Sequence, residues 1–381
     1  MNLSLSDQQK QLREAIITFA QKELNNGVIA REREEKFPFE LWKKCAAMNI
    51  MALPFPEEFG GCGMDFLTSV ISLEALAYAC RDAGLVHAIA AHLISGMLLY
   101  LYGNEKQKHK YLSSISRGEK IIAQAATEAE SGSDVFSMQT KAIKKEDGFI
   151  INGRKMFISN GPVADLVLLI ALTNPDRKTL GSHSFFIVER DHKGFSHGKP
   201  LQKMGLRTLQ NCELIFDECA LPEDNLIGKQ GQGAFIFNEI IEWERILFGA
   251  CHVGTMARIC ESCVRYARER KQFGQPIGKY QSIANKIVGI KMNLELARLM
   301  VYKAASMKDD KKRASLEASI IKVFASENLK KACLDAVQIH GAYGYMTEFE
   351  IERDLRDSIS STIYSGTAEI NTLIIAKLLG L

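Results

Sequence analysis

The sequence has little proline and almost no excess of charge of one sign. Only 8 of its 381 residues are proline, and 48 Lys and Arg residues stand against 45 Asp and Glu residues. With 46% hydrophobic residues, the chain is expected to be neither disordered nor fibrous. A formal net charge of +3 is too small for binding nucleic acid or an anionic membrane through bulk charge. We therefore expect a globular protein, and the length indicates two or three domains.

The sequence also lacks histidines at metal-binding spacings and an even, regularly spaced set of cysteines. None of the eight histidines stands in an HExxH or a similar motif, so we expect no metal site. The nine cysteines are odd in number and scattered, which is typical of a reduced, cytoplasmic protein. Cys260 and Cys263 form a CxxC, but it lies in a helical pattern without a second pair, so core packing is the favoured interpretation.

The N-terminal segment lacks the continuous apolar core of a signal peptide. It reads instead as an amphipathic helix up to Leu24, with Ser6 and Gln9 spaced as a capping box. We identify no run of the ~20 apolar residues that a membrane span needs. Neither a membrane nor a nucleic acid is expected as a partner.

Hydrophobic periodicity divides the chain into three regions. Residues 1–118 show the helical period. Residues 119–225 contain short β-rich runs separated by Gly, Pro, Asn and Asp, and residues 226–381 return to the helical period. The predicted fold class is α+β, with an antiparallel β domain between two helical domains.

Local patterns add detail to two of these regions. In the middle region, Asn152-Gly153 between two apolar runs predicts a hairpin with a two-residue turn. In the last region, long helical patterns at 234–269, 281–306 and 314–340 indicate a four-helix-type bundle.

One acidic residue interrupts a helical face that is otherwise apolar. The residue is Glu244, and the apolar face consists of Phe237, Ile240, Ile241, Leu247, Phe248 and Cys251. Burial would raise the pKa of this carboxyl group and make it a competent general base near neutral pH. A buried ion pair is the alternative, but the adjacent Arg245 diverges from it by about 100° on a helix. Glu239 and Glu242 fall on the opposite face, where we expect solvent.

Three small polar or glycine-rich segments have the composition of loops that can contact a ligand. The Tyr-Ser-Gly-Thr turn at residues 364–367 precedes an apolar helical pattern, and Thr367 as N-cap would leave free N–H groups at the helix end. Simple capping is the alternative interpretation. The loop at 127–134 can approach a ligand with backbone and hydroxyl groups, although a plain surface loop has the same pattern. The glycines at 228–233 lack a strand-to-helix context and indicate a surface turn.

In their order along the chain, these segments resemble the acyl-CoA dehydrogenase superfamily. Residues 126–134 are similar to the family's TEPGAGSD loop, and residues 156–161 to its flavin segment. Further similar segments lie at 203–207, 268–274, 335–341 and 363–367. The resemblance covers almost the whole chain. It implies an N-terminal helical domain, a middle β domain, a C-terminal four-helix bundle, FAD as the cofactor and a homotetramer.

The resemblance also implies which residues bind FAD. Those expected on the bound cofactor are Ala126, Thr127, Gly132, Ser133, Phe157, Ser159, Thr367 and Glu369. Those expected to reach the FAD of a neighbouring subunit are Arg270, Gln272, Phe273, Gln338 and Gly341. Arg270 and Gln338 would then lie near a boundary between chains. Two departures from the family pattern, Glu130 and Ala342, each replace a glycine.

The main departure is at Ser365, where most family members carry a catalytic glutamate. A serine side chain cannot remove an α-proton there. The Glu244-Arg245 pair instead resembles the alternative base position of the isovaleryl-CoA and long-chain dehydrogenases. We therefore expect Glu244 to be the base and the Ser365 N–H to bind the thioester carbonyl oxygen. Arg245 and Tyr364 are expected to contact the substrate.

Four short motifs narrow the resemblance further. They are Glu40–Lys44, Thr173–Asp176, Trp243-Glu244-Arg245 and the 364–367 turn. They are most similar to prolyl-carrier-protein dehydrogenases and oxidases of the anatoxin type. This implies FAD-dependent oxidation of a prolyl thioester on an acyl or peptidyl carrier protein, in natural-product biosynthesis, with oxygen or an electron-transfer flavoprotein as acceptor. A short- or branched-chain acyl-CoA dehydrogenase is the first alternative, and a non-catalytic thioester-binding relative is the second.

Overall fold

The structure is a computed structural model that describes residues 5–174 and 180–381. Its helices are α1 (Asp7–Glu23), α2 (Val28–Glu34), α3 (Phe39–Ala47), α4 (Phe66–Ala79), α5 (Ala83–Tyr102), α6 (Glu105–Ser116), α7 (Gly233–Glu269), α8 (Gln281–Asp309), α9 (Ser315–His340), α10 (Ala342–Tyr345), α11 (Ile351–Ile359) and α12 (Ala368–Leu378). Its strands are β1 (Ile122–Ala125), β2 (Lys141–Lys145), β3 (Gly148–Ser159), β4 (Leu166–Leu172), β5 (His183–Glu189), β6 (Phe195–His197), β7 (Asn211–Pro222), β8 (Leu226–Ile227), β9 (Lys271–Gln272) and β10 (Gln275–Pro276). Of the predicted motif at Thr173–Asp176, Pro175 and Asp176 lie outside the described residues.

Side-chain caps set the start of the N-terminal helices. The capping box predicted for α1 is present, with the Ser6 hydroxyl accepting from Gln9 N at 3.2 Å. Asp65 caps α4 by accepting from Thr68 N at 2.7 Å. Asn104 and Gln107 form a second capping box at the start of α6. These caps satisfy N–H groups that the first helical turn leaves without partners.

Helix α5 forms the centre of the N-terminal region. By length and hydropathy it is apolar enough to cross a membrane, contrary to the expectation that no such segment exists. However, 83% of its apolar window is buried inside the protein, because α5 packs against α6, α7 and β1. Length and composition alone are weak grounds for a membrane span, since a core helix satisfies both.

The middle region forms one sheet in the order β6-β7-β3-β2-β4-β5-β8, with β1 beside β4. Most pairs are antiparallel, as expected, but β1 pairs in parallel with β4, from Ile122 opposite Leu166 to Ala125 opposite Leu169. Buried and more exposed residues alternate along the first half of β7, so one face of that strand packs on the core.

The predicted hairpin at Asn152-Gly153 is wrong. Strand β3 runs through both residues, and the turn that joins β2 to β3 lies at residues 146–147. Glycine is needed at 153 for another reason: a Cβ atom there would lie 2.5 Å from Thr140 Oγ1. The register of β3 against β7 shifts before Gly153 and again between Lys155 and Ile158. The second shift shapes the functional site.

The C-terminal region is a bundle in which α7, α8, α9 and α12 pack together, as the helical patterns predict. The expectation that Glu242 faces solvent is wrong. Glu242 is buried, accepts from Lys308 Nζ at 3.1 Å and from Ala314 N at 3.2 Å, and also accepts from the Ser315 hydroxyl. Helical spacing places Glu242 away from the Glu244 face, but that side of α7 is covered by the start of α9.

The cysteines remain free thiols, and all except Cys62 are buried. Cys260 and Cys263 both belong to the apolar core. Within residues 5–174 and 180–381, no group of three or more His, Cys, Asp or Glu side chains is arranged to hold a metal ion.

Candidate active site

Glu244 lies in the first third of α7, and its carboxyl group contacts the turn that precedes α12. The Ser365 hydroxyl donates to Glu244 Oε1 at 2.5 Å. Burial raises the pKa of Glu244, while the Ser365 hydrogen bond and the charges of Arg245 and Lys322 partly oppose that rise. The residue keeps partial solvent access. A carboxyl group whose pKa is raised is a stronger base than an exposed one, which is the direction of shift that the apolar stripe predicts.

Arg245, the next residue of α7, binds the backbone of the same turn. Its Nε donates to the Ser365 carbonyl oxygen at 3.2 Å, and its Nη1 donates to Ser319 Oγ at 3.3 Å. Desolvation lowers the pKa of Arg245 to about 10, so the guanidinium is still charged at neutral pH. Among the described residues it makes no ion pair with Glu244, and its predicted contact with substrate stays a prediction.

The turn before α12 is fixed through its carbonyl groups. Asn371 Nδ2 donates to the carbonyl oxygens of Ser365, Gly366 and Thr367 at 3.4, 2.9 and 3.0 Å. In a trans peptide the N–H and C=O bonds point in opposite directions, so the N–H groups of Gly366 and Thr367 face away from Asn371. Within the described chain, neither they nor the Ser365 N–H has a hydrogen-bond acceptor.

These three free N–H groups lie on the turn that Glu244 contacts through Ser365. Ser365 and Gly366 have φ values of 60° and 77°, in the left-handed region of backbone conformations. The N-terminus of α12, capped by Thr367 as predicted, adds a positive potential. Such a site can stabilise the negative charge that develops on a thioester carbonyl oxygen when the neighbouring carbon loses a proton.

Sequence reasoning missed Asn371, which is fully buried and holds this turn. A signal was available, because Asn371 is a polar residue beside apolar positions of α12. Those positions are Ile370, Leu373, Ile374 and Leu378. The same type of signal identified Glu244.

The Tyr364 hydroxyl is held by two buried histidines. It lies 3.0 Å from His87 Nε2 and 2.7 Å from His252 Nε2. His87 Nδ1 lies 2.8 Å from the Ala83 carbonyl oxygen and must donate to it, so Tyr364 donates its proton to His87 Nε2 and accepts from His252. Burial raises the pKa of Tyr364 and lowers the pKa of His87 to about 4, so all three groups are neutral. The predicted substrate contact of Tyr364 stays a prediction, and its one proton is already donated.

Two segments predicted to hold the flavin meet beside β3. Met156 N donates to the Thr127 carbonyl oxygen at 2.8 Å, which joins the 127–134 loop to the flavin segment. The register shift after Lys155 gives Phe157 a φ of 62° and leaves this residue 58% exposed. Asn211 Nδ2 steadies the segment by donating to the Phe157 carbonyl oxygen at 2.9 Å and to Ser159 Oγ at 3.1 Å.

These features fit a planar aromatic cofactor with polar edges. The exposed Phe157 ring offers an apolar surface, and the free N–H groups and hydroxyl groups offer hydrogen bonds. The loop residues Gly132 and Ser133 are exposed, and the Ser131 hydroxyl fixes the loop by donating to the Asp134 carbonyl oxygen at 2.7 Å. Glu130, which replaces a family glycine, is also exposed and is therefore accommodated.

The remaining predicted residues lie at other surfaces. Glu369 is exposed in the first turn of α12, where its own N–H and Thr367 lower its pKa. The residues predicted to reach a neighbouring subunit are all exposed, near the C-terminal ends of α7 and α9; they are Arg270, Gln272, Phe273, Gln338 and Gly341. In the described part of the chain, none of these five hydrogen-bonds to Glu244 or Ser365. Their role at a boundary between chains stays a prediction.

Comparisons with known proteins agree along the whole chain. Profiles described as the N-terminal, middle and C-terminal domains of acyl-CoA dehydrogenase match residues 6–119, 123–219 and 231–380. An acyl-CoA dehydrogenase of Bacillus subtilis (strain 168) is 39% identical over 99% of this chain and 99% of its own length. An L-prolyl-[peptidyl-carrier protein] dehydrogenase of a Serratia species is 37% identical over 100% of this chain and 99% of its own length.

Two solved structures are similar to this chain over 99% or more of its length. The prolyl acyl carrier protein oxidase AnaB has a TM-score of 0.97 and 44% identity, covering 99% of this chain and 100% of that one. The FAD complex of PigA has a TM-score of 0.97 and 36% identity, covering 100% of both chains. The α+β fold expected from the sequence is thereby confirmed. This chain belongs to the acyl-CoA dehydrogenase family, and it is an FAD-dependent oxidoreductase that acts on acyl thioesters.

Proposed function

We propose that this protein oxidises a prolyl thioester carried on an acyl or peptidyl carrier protein, in natural-product biosynthesis. The observation that carries the chemistry is the Glu244 carboxyl group, held by the Ser365 hydroxyl beside three free N–H groups. The prolyl group and the carrier protein are supported by the similarity to the Serratia dehydrogenase and to AnaB over the whole chain. FAD, when bound, supplies the oxidant that accepts a hydride from the β-carbon.

The chain's own residues activate the substrate. The thioester carbonyl oxygen accepts hydrogen bonds from the turn before α12, chiefly from the Ser365 N–H. Each donor of this kind lowers the cost of enolate charge by about 3 kcal/mol. Glu244 removes the α-proton. The positive charges of Arg245 and Lys322 stabilise the negative charge of the enolate. Burial lowers the pKa of Lys322 only to about 8, so its ammonium group is still largely protonated at neutral pH.

The residues that would hold FAD fall into three groups. Those at the isoalloxazine would be Ala126, Thr127, Phe157, Ser159 and Thr367. Ser133 would lie at the pyrophosphate, and Gly132 and Glu369 are expected elsewhere on the same cofactor. The residues from a neighbouring subunit would be Arg270, Gln272, Phe273, Gln338 and Gly341.

A homotetramer is part of this proposal. Helix α8 exposes an apolar stripe at helical spacing, which would cost free energy if it faced water in the working assembly. The stripe consists of Val288, Met292, Leu296 and Leu299, each about half exposed. We propose that a second copy of the chain covers this stripe. The same assembly would bring Arg270 and Gln338 toward the cofactor of another subunit.

A dehydrogenase for a free short- or branched-chain acyl-CoA is the second candidate, favoured by the similarity to the Bacillus subtilis enzyme. A non-catalytic thioester-binding role is disfavoured by the placement of Glu244. A protein that only binds a thioester does not need a general base in contact with the turn that would bind the thioester carbonyl oxygen.

The deciding experiment is anaerobic mixing of the FAD-loaded protein with three substrates in parallel. Prolyl-carrier protein should bleach the flavin absorbance rapidly, whereas isovaleryl-CoA and butyryl-CoA should not. Rapid bleaching by either CoA ester without the carrier protein would overturn the proposal in favour of the second candidate. Mass spectrometry of the carrier-bound product, with peroxide measured in air, then identifies the extent of oxidation and the electron acceptor.

A further inference from the structure

Lys155 is a fully buried lysine on β3, at the point where the strand's register shifts. Its ammonium group has three hydrogen-bond partners, which is all that it can donate to. They are the Ala126 carbonyl oxygen at 2.9 Å, Glu128 Oε1 at 3.0 Å and Met138 Sδ at 3.4 Å. Nothing in the reaction described above uses this group.

Hydrogen bonds from Lys155 and Met156 fix two successive backbone carbonyl groups, those of Ala126 and Thr127, where the 127–134 loop begins. Lys155 Nζ holds the carbonyl of Ala126, and Met156 N holds the carbonyl of Thr127. The peptide between Ala126 and Thr127 is trans, so the Thr127 N–H points away from the buried ammonium group. Within the described residues this N–H has no acceptor, and Thr127 is partly exposed.

We propose that Lys155 is a positioning residue for the flavin: its ammonium group fixes and polarises the Ala126–Thr127 peptide, so that the Thr127 N–H is a strengthened donor toward the isoalloxazine ring. This rests on the proposed flavin contacts of Ala126 and Thr127. A positive charge on a carbonyl oxygen draws electron density from the amide and makes its N–H a better donor. Because reduction adds electron density to the ring, such a donor favours the reduced cofactor.

Glu128 completes the arrangement and keeps the buried charge neutralised. Its carboxylate accepts from Gln139 N at 2.6 Å, from Thr140 N at 2.9 Å and from Lys155. These bonds explain why the pKa of Glu128 is lowered in spite of burial. Burial of an ion pair is by itself a weak source of stability, because desolvation offsets the attraction. The ion pair therefore adds little to the stability of the fold, and stability alone does not explain why a charge is placed at the Ala126 carbonyl.

The test measures the flavin's reduction potential by titration against a reference dye, with no substrate present. The double variant Lys155→Met/Glu128→Gln removes both charges, with an isosteric change at residue 128 and a side chain one atom shorter at residue 155. It should make two-electron reduction at least tenfold less favourable, which corresponds to about 30 mV. The FAD dissociation constant should also rise. Because no thioester takes part, these readouts do not depend on which substrate the protein oxidises.

Two further variants keep the test decisive. Lys144→Met removes an exposed lysine from β2, where it pairs with Glu223 at 2.7 Å, and should leave the potential unchanged. Glu128→Gln alone is isosteric and leaves the Lys155 ammonium group on the Ala126 carbonyl without its counter-ion, so it should not reproduce the fall in potential of the double variant. If the double variant folds with bound FAD and has the wild-type potential, or if Glu128→Gln alone lowers the potential as far as the double variant does, the proposal is wrong.

Discussion

The hydroxyl group of Ser365 donates a hydrogen bond to Glu244 Oε1 across 121 residues of sequence. The residue at the family's usual base position therefore supports the carboxyl group that replaces it. A hydrogen bond to the ionised carboxylate favours the charged form, whereas burial favours the neutral form. The balance between the two sets the pH at which Glu244 can accept a proton.

Glu244→Gln should lower the rate of flavin reduction by prolyl-carrier protein by ~10²–10⁴-fold, because the amide cannot accept the α-proton. Anaerobic stopped-flow absorbance measures this rate. The matched control is Glu239→Gln on the same helix, where the carboxylate accepts from the Tyr102 hydroxyl, and this variant should react normally. Near-normal reduction in Glu244→Gln would show that another group is the base.

Ser365→Ala should move the acidic limb of the pH–rate profile to higher pH. The hydroxyl lowers the pKa of Glu244, so its loss lets burial raise that pKa further, and the base becomes ionised only at higher pH. The backbone N–H is retained, so the rate at the alkaline plateau should change little. An unchanged acidic limb would mean that the hydroxyl does not tune the base.

Asn371→Ala should weaken the turn before α12, because the Gly366 carbonyl loses its donor, while the Ser365 carbonyl keeps only Arg245 Nε and the Thr367 carbonyl keeps only the backbone N–H of residue 371. We expect a loss of about 1–3 kcal/mol in unfolding free energy and a slower reduction step. Urea denaturation and stopped-flow absorbance measure the two effects. Thr372→Ala is the control on the same helix, since its hydroxyl bonds only to the Ala368 carbonyl oxygen within α12. Equal effects of both variants would contradict the assigned role.

Met292→Asp should disrupt the proposed tetramer, because it places a charge in the middle of the apolar stripe on α8. Light scattering coupled to size-exclusion chromatography should show a smaller species than the wild-type protein. A substitution on the polar surface, Lys311→Asp at the turn after α8, is the control and should keep the wild-type mass. If the wild type is itself a monomer, the proposed assembly is wrong.

Asp357 should make the protein less stable as the pH rises from about 4 to about 7. Burial raises the pKa of Asp357 to about 7, and its carboxyl group accepts from Leu206 N at 2.6 Å. The folded state thus holds a proton that the unfolded chain releases near pH 3.9, so stability falls by up to about 1.4 kcal/mol per pH unit in this interval. Asp357→Asn should flatten that dependence in urea titrations. The exposed control Asp147→Asn should retain it.

Much of the fold follows from local patterns in the sequence. The long helices of the bundle and the caps at Ser6 and Thr367 have strong local signals, because helical periodicity and capping depend on neighbouring residues only. The failed hairpin has the same origin. Asn-Gly is typical of a turn, but Gly153 is needed because Thr140 approaches its backbone too closely for a Cβ atom. Local sequence patterns contain no information about that contact.

The site divides in the same way. The sequence determined that Glu244 lies on an apolar face and that Ser365 cannot be the base, because both conclusions need only side-chain chemistry and helical spacing. The tertiary structure decided the partners: Ser365 for Glu244, Asn371 for the turn, His87 and His252 for Tyr364, and the Ala126 carbonyl for Lys155. A periodic pattern specifies which side of an element is buried. Only the packing of elements distant in sequence specifies which polar group meets it there, and therefore which charges are desolvated, neutralised or left free for chemistry.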